Sequence, residues 1–403
     1  MVIGIIGGGA SGMAAALAAA ENQDVQVLLL ERQARVGRKL QATGNGRCNL
    51  TNLHADGGSY HGDEPDFAEF ALNTYPVQET LRWFSELGLL TVHEDTGRVY
   101  PYSDQANSVV DVLRFGLQKQ NIRLITGAEV TKVKKTAEGF IITCTEGSYE
   151  CDKLIVACGG LAGTKLGGSM SGYKLLRSFG HKCTKLRPAL VQLKSDWNGC
   201  NALKGVRAAC QVKVFHNGKH HSESAGELQF TEYGLSGPVI FEVSRDVCQD
   251  RGEWICKLDF LPEVTEKQLE KLLQDRRSMP ILTDDLLTGI LHNRLGRVLT
   301  AAAGVRMQQN VENLTDDEIR QVVSLVRDLE VPITDTLGMD SAQVTAGGIC
   351  TAEFDSKTME SRLVPGLYAC GEVLDIDGDC GGYNLQWAWS SGRLAGNSAG
   401  GNL

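Results

Sequence analysis

The chain has no C-x-x-C pair among its 12 cysteines, which removes a redox disulfide of the thioredoxin-reductase type and argues against a zinc ribbon. Cysteines scattered through 403 residues are expected as free thiols in a reducing cytoplasm. The N-terminus lacks the basic n-region of a signal peptide, and glycines interrupt its apolar run. No stretch approaches a transmembrane span. The eight histidines lack ligand spacing, so no metal is expected, and His220-His221 falls in a polar, hairpin-like stretch expected in solvent. Positive charge is short as well: 40 Lys and Arg against 49 Asp and Glu leave a net charge of -9. Nucleic acid and anionic membranes both require a basic face, so neither is an expected partner. These absences leave small-molecule chemistry in a cytoplasmic protein of two or three domains.

What is present begins at residue 2. The apolar run Val2-Ile3-Gly4-Ile5-Ile6 feeds into Gly7-Gly8-Gly9-Ala10-Ser11-Gly12 and an alanine-rich stretch to Ala20, the strand–turn–helix setting of the G-x-G-x-x-G fingerprint. Gly7 permits the tight turn, Gly9 leaves room for a pyrophosphate, and Gly12 allows helix and strand to pack closely. The phosphates are expected on the free N–H groups of Ala10 and Ser11. A second apolar run, Val25–Leu30, ends in Glu31, placed to bind a ribose hydroxyl. A Gly/Ala-rich core helix followed by a solvated carboxylate is the alternative reading.

Residues 33–62 form a long connection, and such loops are functional or disordered. Within it, Thr43-Gly44-Asn45-Gly46-Arg47-Cys48-Asn49 sets donors around two glycines, where a backbone can approach a ligand closely; a solvated surface loop is the alternative. Helices are predicted near Val77–Leu87 and Ser108–Lys119, the latter opened by a Ser108…Asp111 pair. Strands follow at Arg123–Thr126, Val130–Lys134 and Phe140–Thr145, and Lys153–Cys158 ends on Gly159-Gly160. From about residue 188 the pattern alternates, with strands at Ala209–Phe215 and Trp254–Phe260 and a turn at Asn217-Gly218. Helical patterns then cover Thr265–Leu273, Asp284–Thr300 and Thr315–Leu329. Nucleotide-type vocabulary resumes at Val344-Thr345-Ala346-Gly347-Gly348. The expected fold class is therefore α/β: a Rossmann-like domain formed by both termini (1–187 and 336–403), interrupted by a β-rich, barrel-like insert (188–261 and about 331–335) and a small helical domain (262–330).

Near the C-terminus, Gly366–Cys370 is an apolar strand ending in Gly371-Glu372, and Gly381-Gly382-Tyr383-Asn384 opens a helix. Glu372 is suited to ribityl hydroxyls of an FAD, and the helix start to the pyrimidine edge of its ring. Gly381-Gly382 as a plain helix-entry turn is the alternative.

Taken together, Gly7–Gly12, Thr43–Asn52, Gly97-Arg98-Val99-Tyr100-Pro101, Gly226–Thr231, Leu235–Pro238, Val344–Gly348 and Gly371–Ala388 resemble the BaiN (YhiN-like) family of bacterial FAD-dependent oxidoreductases over nearly the whole chain. The resemblance implies FAD, and because no His or Cys motif can be assigned to a bond with its ring, the cofactor is expected to be held non-covalently. The candidate cofactor residues are Gly7, Gly9, Ala10, Ser11, Gly12, Glu31, Arg32, Arg38, Lys39, Gly44, Asn45, Gly46, Arg47, Cys48, Asn49, Val130, Gly159, Gly160, Gly371, Glu372, Gly381, Gly382, Tyr383 and Asn384. Cys158 stands where a Thr is more usual in that family and is not expected to disturb binding. The family's activities imply reduction of a carbon–carbon double bond conjugated to a ketone, as in 3-oxo bile acids, with oxidation of a small amine or flavin binding without either activity as alternatives. Arg47, Tyr100 and Tyr383 are candidate donors to an enolate oxygen, or else position the flavin. No second G-x-G-x-x-G occurs in βαβ context, so NAD(P)H is expected as a transient donor. It would share one cleft with the organic substrate and react by ping-pong kinetics.

Overall fold

The computed structural model describes residues 1–245, 247 and 250–402. They form two compact units, Met1–Pro188 with Ala342–Leu403, and Ala189–Ser341. In the first unit, Val2–Ile6 is the middle strand of a five-stranded parallel sheet, flanked by Gln26–Glu31 and then Ile122–Thr126 on one side, and by Lys153–Val156 and then Leu367–Ala369 on the other. A parallel sheet covered on both faces needs unbroken apolar strands, which is why Val27–Leu30 and Leu154–Val156 are buried throughout. Gly4 is the gap in that run. A Cβ there would meet Ile142 Cδ1 at 2.7 Å and Cys151 Sγ at 2.8 Å, so the antiparallel meander Val130–Lys135, Phe140–Cys144, Gly147–Cys151 packs against the sheet at this point.

The helix Ala10–Ala19 is buried almost all round. Its neighbour is the C-terminal helix Tyr383–Gly400, whose Gly392, Gly396 and Gly400 recur every fourth residue and so line one face. A Cβ on Gly392 would lie 2.4 Å from Ser11 O, and one on Gly396 would lie 2.3 Å from Ala15 O. Both numbers rise together along the chain, so the helices run parallel. With a rise of about 1.5 Å per residue, the C-terminal helix starts roughly 12 Å beyond the start of its neighbour. Two helix N-termini therefore face the same way, staggered along one line.

In the second unit a seven-stranded antiparallel sheet runs Leu329–Ile333, Trp254–Asp259, Arg207–His216, Lys219–Thr231, Gly234–Ser236, Leu193–Lys194, Asp335–Thr336. Its two edge strands are separated in sequence by Thr334 alone, so the sheet must curl until its edges meet. Asn217 and Gly218 both take positive φ (49° and 76°) at the predicted hairpin turn, and His220 and His221 are exposed in the strand that follows. Helices Glu266–Asp275 and Asp316–Arg327 each begin with a complete capping box, Thr265 with Gln268 and Thr315 with Glu318. Their apolar faces join those of the strands in one core containing Val212, Phe230, Leu269 and Ile319.

Two predicted helices begin elsewhere. The helix expected from Asp284 starts at Asn293, capped by the His292 ring, because Gly289 at φ 79° breaks the run and Asp284 Oδ2 accepts Gln308 N–H instead. The helix expected at Ser108 spans Ala106–Gly116. Ser108 is not its cap; its hydroxyl pairs with that of Ser103 at 2.7 Å.

Near the C-terminal strand of the first unit, the His181 ring is fully enclosed. It stacks on Phe354 (centroids 4.5 Å apart), with Nδ1 2.9 Å from Glu353 Oε2 and Nε2 2.9 Å from Ser361 Oγ. Burial lowers its pKa, and Glu353 opposes this only partly. A histidine whose folded pKa is depressed stabilises the fold above its unfolded value near 6.5, and that contribution is lost as pH falls from there toward the folded pKa. The unfolding free energy from urea titrations should therefore fall below about pH 6.5, by at most about 1.4 kcal/mol per pH unit from this group. His181→Gln should flatten that slope; an identical slope in wild type and variant would assign the acid sensitivity to other groups.

Candidate cofactor and active site

The glycine turn is built against the end of the second strand. Gly8 N–H donates to Glu31 Oε2 at 2.7 Å, and Gln33 N–H donates to Oε1 at 2.7 Å. Glu31 is 9% exposed, and each oxygen keeps a lone pair for a ribose hydroxyl. Position 9 is open: a Cβ on Gly9 would meet nothing within 4 Å, and the same holds at Gly159 and Gly46. Gly9 caps the first helix without a side-chain bond, so the leading N–H groups of Ala10, Ser11 and Gly12 point into this space. An open cradle beside free N–H groups fits a pyrophosphate.

Gly371, at φ 76°, sits directly on that helix, since a Cβ there would lie 2.5 Å from Ser11 Oγ. Glu372 follows and is held by Lys39 Nζ at 2.8 Å and by Thr345 N–H at 2.9 Å. Gly160 leaves space for it, as a Cβ there would come within 2.4 Å of Glu372 Oε1. Thr345 Oγ1 also accepts Leu161 N–H and Ala162 N–H. The Val-Thr-Ala-Gly-Gly pattern marks this segment in the sequence, but the role of Thr345 is visible only in its three hydrogen bonds.

The loop at Thr43–Gly46 makes a left-handed turn, with Gly44, Asn45 and Gly46 at φ 57°, 56° and 86° and Cys48 at φ 60°. Asparagine tolerates this region, but consecutive residues there are unusual outside functional sites. Arg47 anchors the turn: its Nε donates to Asp104 Oδ1 at 2.5 Å, it pairs with Glu94 at 3.3 Å, and it lies 4.0 Å over the Tyr100 ring. Offering this guanidinium to an oxyanion would require loosening one of those partners. The Asp104 bond and charge hold its pKa up. Burial raises Tyr100, keeping its phenol protonated at neutral pH. Burial pushes the Cys48 thiol up to about 12, with a Thr43 hydrogen bond opposing, so it is an inert thiol.

Asn49 Oδ1 is buried and has no hydrogen-bond partner. It lies 3.0 Å from where a Gly382 Cβ would stand, which places an unsatisfied acceptor at the entry of the C-terminal helix. Gly381 and Gly382 have φ 124° and 107°. A Cβ on Gly382 would lie 2.4 Å from Thr51 O, so only glycine lets the helix begin here. Gln386 N–H already bonds Gly382 O, which leaves the N–H groups ahead of it, those of Asn384 and Leu385 included, outside the helix's own ladder. The Asn384 side chain is used internally, accepting Gly378 N–H at 2.9 Å and donating to Gly378 O at 2.7 Å. Tyr383 packs edge-on to Tyr60, whose hydroxyl donates to Tyr383 O at 3.0 Å. Two residues without a role in the sequence reading hold this helix. Gln386, fully buried, bonds Thr51, Tyr75, Thr80 and Ser390, and Trp389 Nε1 donates to Leu50 O at 2.9 Å.

The remaining candidates lie around these two centres. Arg32 donates to Gly167 O at 2.5 Å and Arg38 to Gln33 Oε1 at 2.8 Å. Val130 is buried at the head of the meander, two residues after Ala128, whose N–H donates to Glu31 O. Cys158 is pushed up to about 12 by burial. Open space at Gly9 and Gly159, two staggered helix starts and the unsatisfied Asn49 acceptor together fit an extended dinucleotide.

Such a sheet, glycine turn and paired helix starts define an FAD-dependent oxidoreductase of the Rossmann class. The chain belongs to the family described as the HI0933-like protein Rossmann domain, whose model matches residues 1–398. It is 41% identical to a 3-dehydro-bile acid delta(4,6)-reductase of Clostridium scindens, covering 98% of both chains. It is also 34% identical to a ribosomal RNA dihydrouridine synthase of Escherichia coli, over 96% of this chain and 95% of that protein. In fold it is similar to 3-ketosteroid delta1-dehydrogenase of Sterolibacterium denitrificans, at a TM-score of 0.52 and 12% identity, covering 100% of this chain and 99% of that one. Among the described residues no helix is long and apolar enough to cross a membrane.

Glu31→Ala should weaken FAD binding by on the order of 1.5–3 kcal/mol, because a charge-assisted bond to ribose is lost and the clamp on Gly8 and Gln33 goes with it. Calorimetric titration of the apoprotein with FAD measures this; an unchanged dissociation constant would leave Glu31 as a brace for the turn alone.

Proposed function

We propose that the protein reduces a carbon–carbon double bond conjugated to a ketone, in a steroid-like or bile-acid-like substrate, with NAD(P)H as electron source and non-covalent FAD as cofactor. The observation that carries this reading is the 41% identity across 98% of both chains to a named delta(4,6)-reductase, in a chain whose own residues fit the cofactor. FAD bound here supplies hydride from its N5 atom. The chain's part is to hold phosphate on Ala10, Ser11 and Gly12, ribose on Glu31 and ribityl hydroxyls on Glu372. The leading N–H groups of the Tyr383–Gly400 helix favour negative charge at its start, and Asn49 Oδ1 offers an acceptor to a ring N–H. Protonated Tyr100 is a donor for an enolate oxygen.

A second reading has its own support. Dihydrouridine synthesis, the activity named for the 34% identical relative, also saturates a double bond conjugated to a carbonyl, that of uracil. The net charge of -9 favours a small molecule over RNA.

Flavin reduction is followed anaerobically, and each acceptor, molecular oxygen included, is then added in a separate arm. NADH or NADPH should bleach the flavin, and a 3-oxo-Δ4 steroid should restore its colour faster than air or unmodified ribosomal RNA. Parallel double-reciprocal lines are expected, since donor and acceptor exclude each other. Acid precipitation should leave the yellow colour in solution. Preferential reoxidation by RNA would select the second reading; peroxide formed with a small amine in the absence of nicotinamide would make the protein an oxidase.

A further inference from the structure

The ribbon Thr91–His93 with Arg98–Pro101 is antiparallel and pairs Val92 with Tyr100. Tyr102 N–H donates to Leu90 O at 2.7 Å, continuing the register by one more pair. Opposed residues share a face and alternate residues return to it, so Leu90, Val92, Arg98, Tyr100 and Tyr102 stand on one side. Its inner end reaches the cofactor site. Arg98 opposes Asn52, Asn52 Nδ2 donates to Gly381 O at 2.9 Å, and a Cβ on Gly44 would lie 3.5 Å from the Tyr100 ring. Tyr100 itself lies under Arg47.

From the Val92–Tyr100 pair outward the face is bare: Leu90 is 69%, Val92 45% and Tyr102 67% exposed. Isolated exposed apolar side chains are ordinary. Three in one register-locked row, continuous with a redox site, are a surface that a ligand can cover. The exposed row extends about 7 Å from the Val92–Tyr100 pair to the Leu90–Tyr102 pair at the usual rise of a strand, and the same face continues inward by about as much again to Arg98 at the cofactor site, a length that suits a rigid fused-ring skeleton and exceeds what a single ring needs. A rigid plane also loses little conformational freedom on settling there.

We propose that this face seats the apolar body of the substrate: a flat polycyclic ketone with its reacting ring at the Thr43–Gly46 turn and its distal rings over Val92, Leu90 and Tyr102. The assignment rests on the enone-reductase reading for the reacting end, while the seat is tested by binding alone.

The probes are 4-androstene-3,17-dione and cyclohex-2-enone, used with the FAD-loaded enzyme and its Leu90→Asp and Val92→Asp variants. Steroid binding is read at equilibrium from the perturbation of the oxidised flavin spectrum. Each variant should raise the steroid dissociation constant about tenfold, because a carboxylate must be desolvated beneath the rings. FAD affinity and cyclohex-2-enone turnover should stay at wild-type values. Steroid affinities within about twofold of wild type in both variants, or no steroid binding by the wild type, overturn the seat. Ribbon-dependent binding without reduction of either enone keeps the seat and removes the reductase reading. A dimer in light scattering that Val92→Asp dissolves, with steroid affinity unchanged, assigns the face to a second copy of the chain and also overturns it.

Discussion

Gly12→Ala is expected to raise the FAD dissociation constant by about 100-fold or more and to destabilise the fold by on the order of 3 kcal/mol. The added Cβ would stand 1.8 Å from Gly7 O and 3.3 Å from Ala157 Cβ. The first contact is with backbone, so no side chain can rotate away. The helix also has nowhere to retreat, because Gly392 and Gly396 hold the C-terminal helix against Ser11 O and Ala15 O on its other side. Any shift disturbs both contacts and moves the phosphate-binding N–H groups. Gly9→Ala is the control: its Cβ meets no protein atom within 4 Å, so stability should be preserved while FAD affinity still falls. Urea midpoints and FAD titrations separate the two effects. Gly9→Ala with normal FAD affinity would mean that the phosphates do not lie in this cradle.

Gln386→Leu should cost on the order of 3–5 kcal/mol, since it removes one side chain from four partners that are themselves buried. Thr51 Oγ1 at 2.6 Å, Tyr75 O at 3.0 Å, Thr80 Oγ1 at 2.9 Å and Ser390 Oγ at 2.9 Å all bond this amide, and Gln386 is 0% exposed. Leucine matches the volume but satisfies none of them. The same network fixes where the C-terminal helix begins, so the visible circular dichroism of bound flavin should change alongside the unfolding midpoint. A loss below about 1 kcal/mol would show that water or neighbouring side chains take over these bonds.

The glycine turn, the parallel strands around it and the hairpin at Asn217-Gly218 were legible because each depends on neighbours within a few residues. The capping box at Thr315 was legible for the same reason. The Ser108 pair misled because the same local signature, a hydroxyl three residues before an acid, occurred two residues inside the helix, where Ser103 takes the hydroxyl. The pattern from Asp284 to Thr300 misled because apolar periodicity continued across Gly289, and periodicity alone does not register a positive φ.

The site divides in the same way. Sequence alone located the glycine turns and the strand-end carboxylates Glu31 and Glu372 to which the cofactor roles are assigned, because glycine spacing and strand ends are properties of contiguous segments. It did not determine that Arg47 is tied to Glu94 and Asp104, that Asn384 braces its own turn, or that Gln386 carries the helix, for these depend on partners 4 to 335 residues away in sequence. Tertiary packing decided those roles. A buried amide or guanidinium takes whichever partners the fold brings within hydrogen-bond distance, and a side chain's own sequence neighbours contain no record of them.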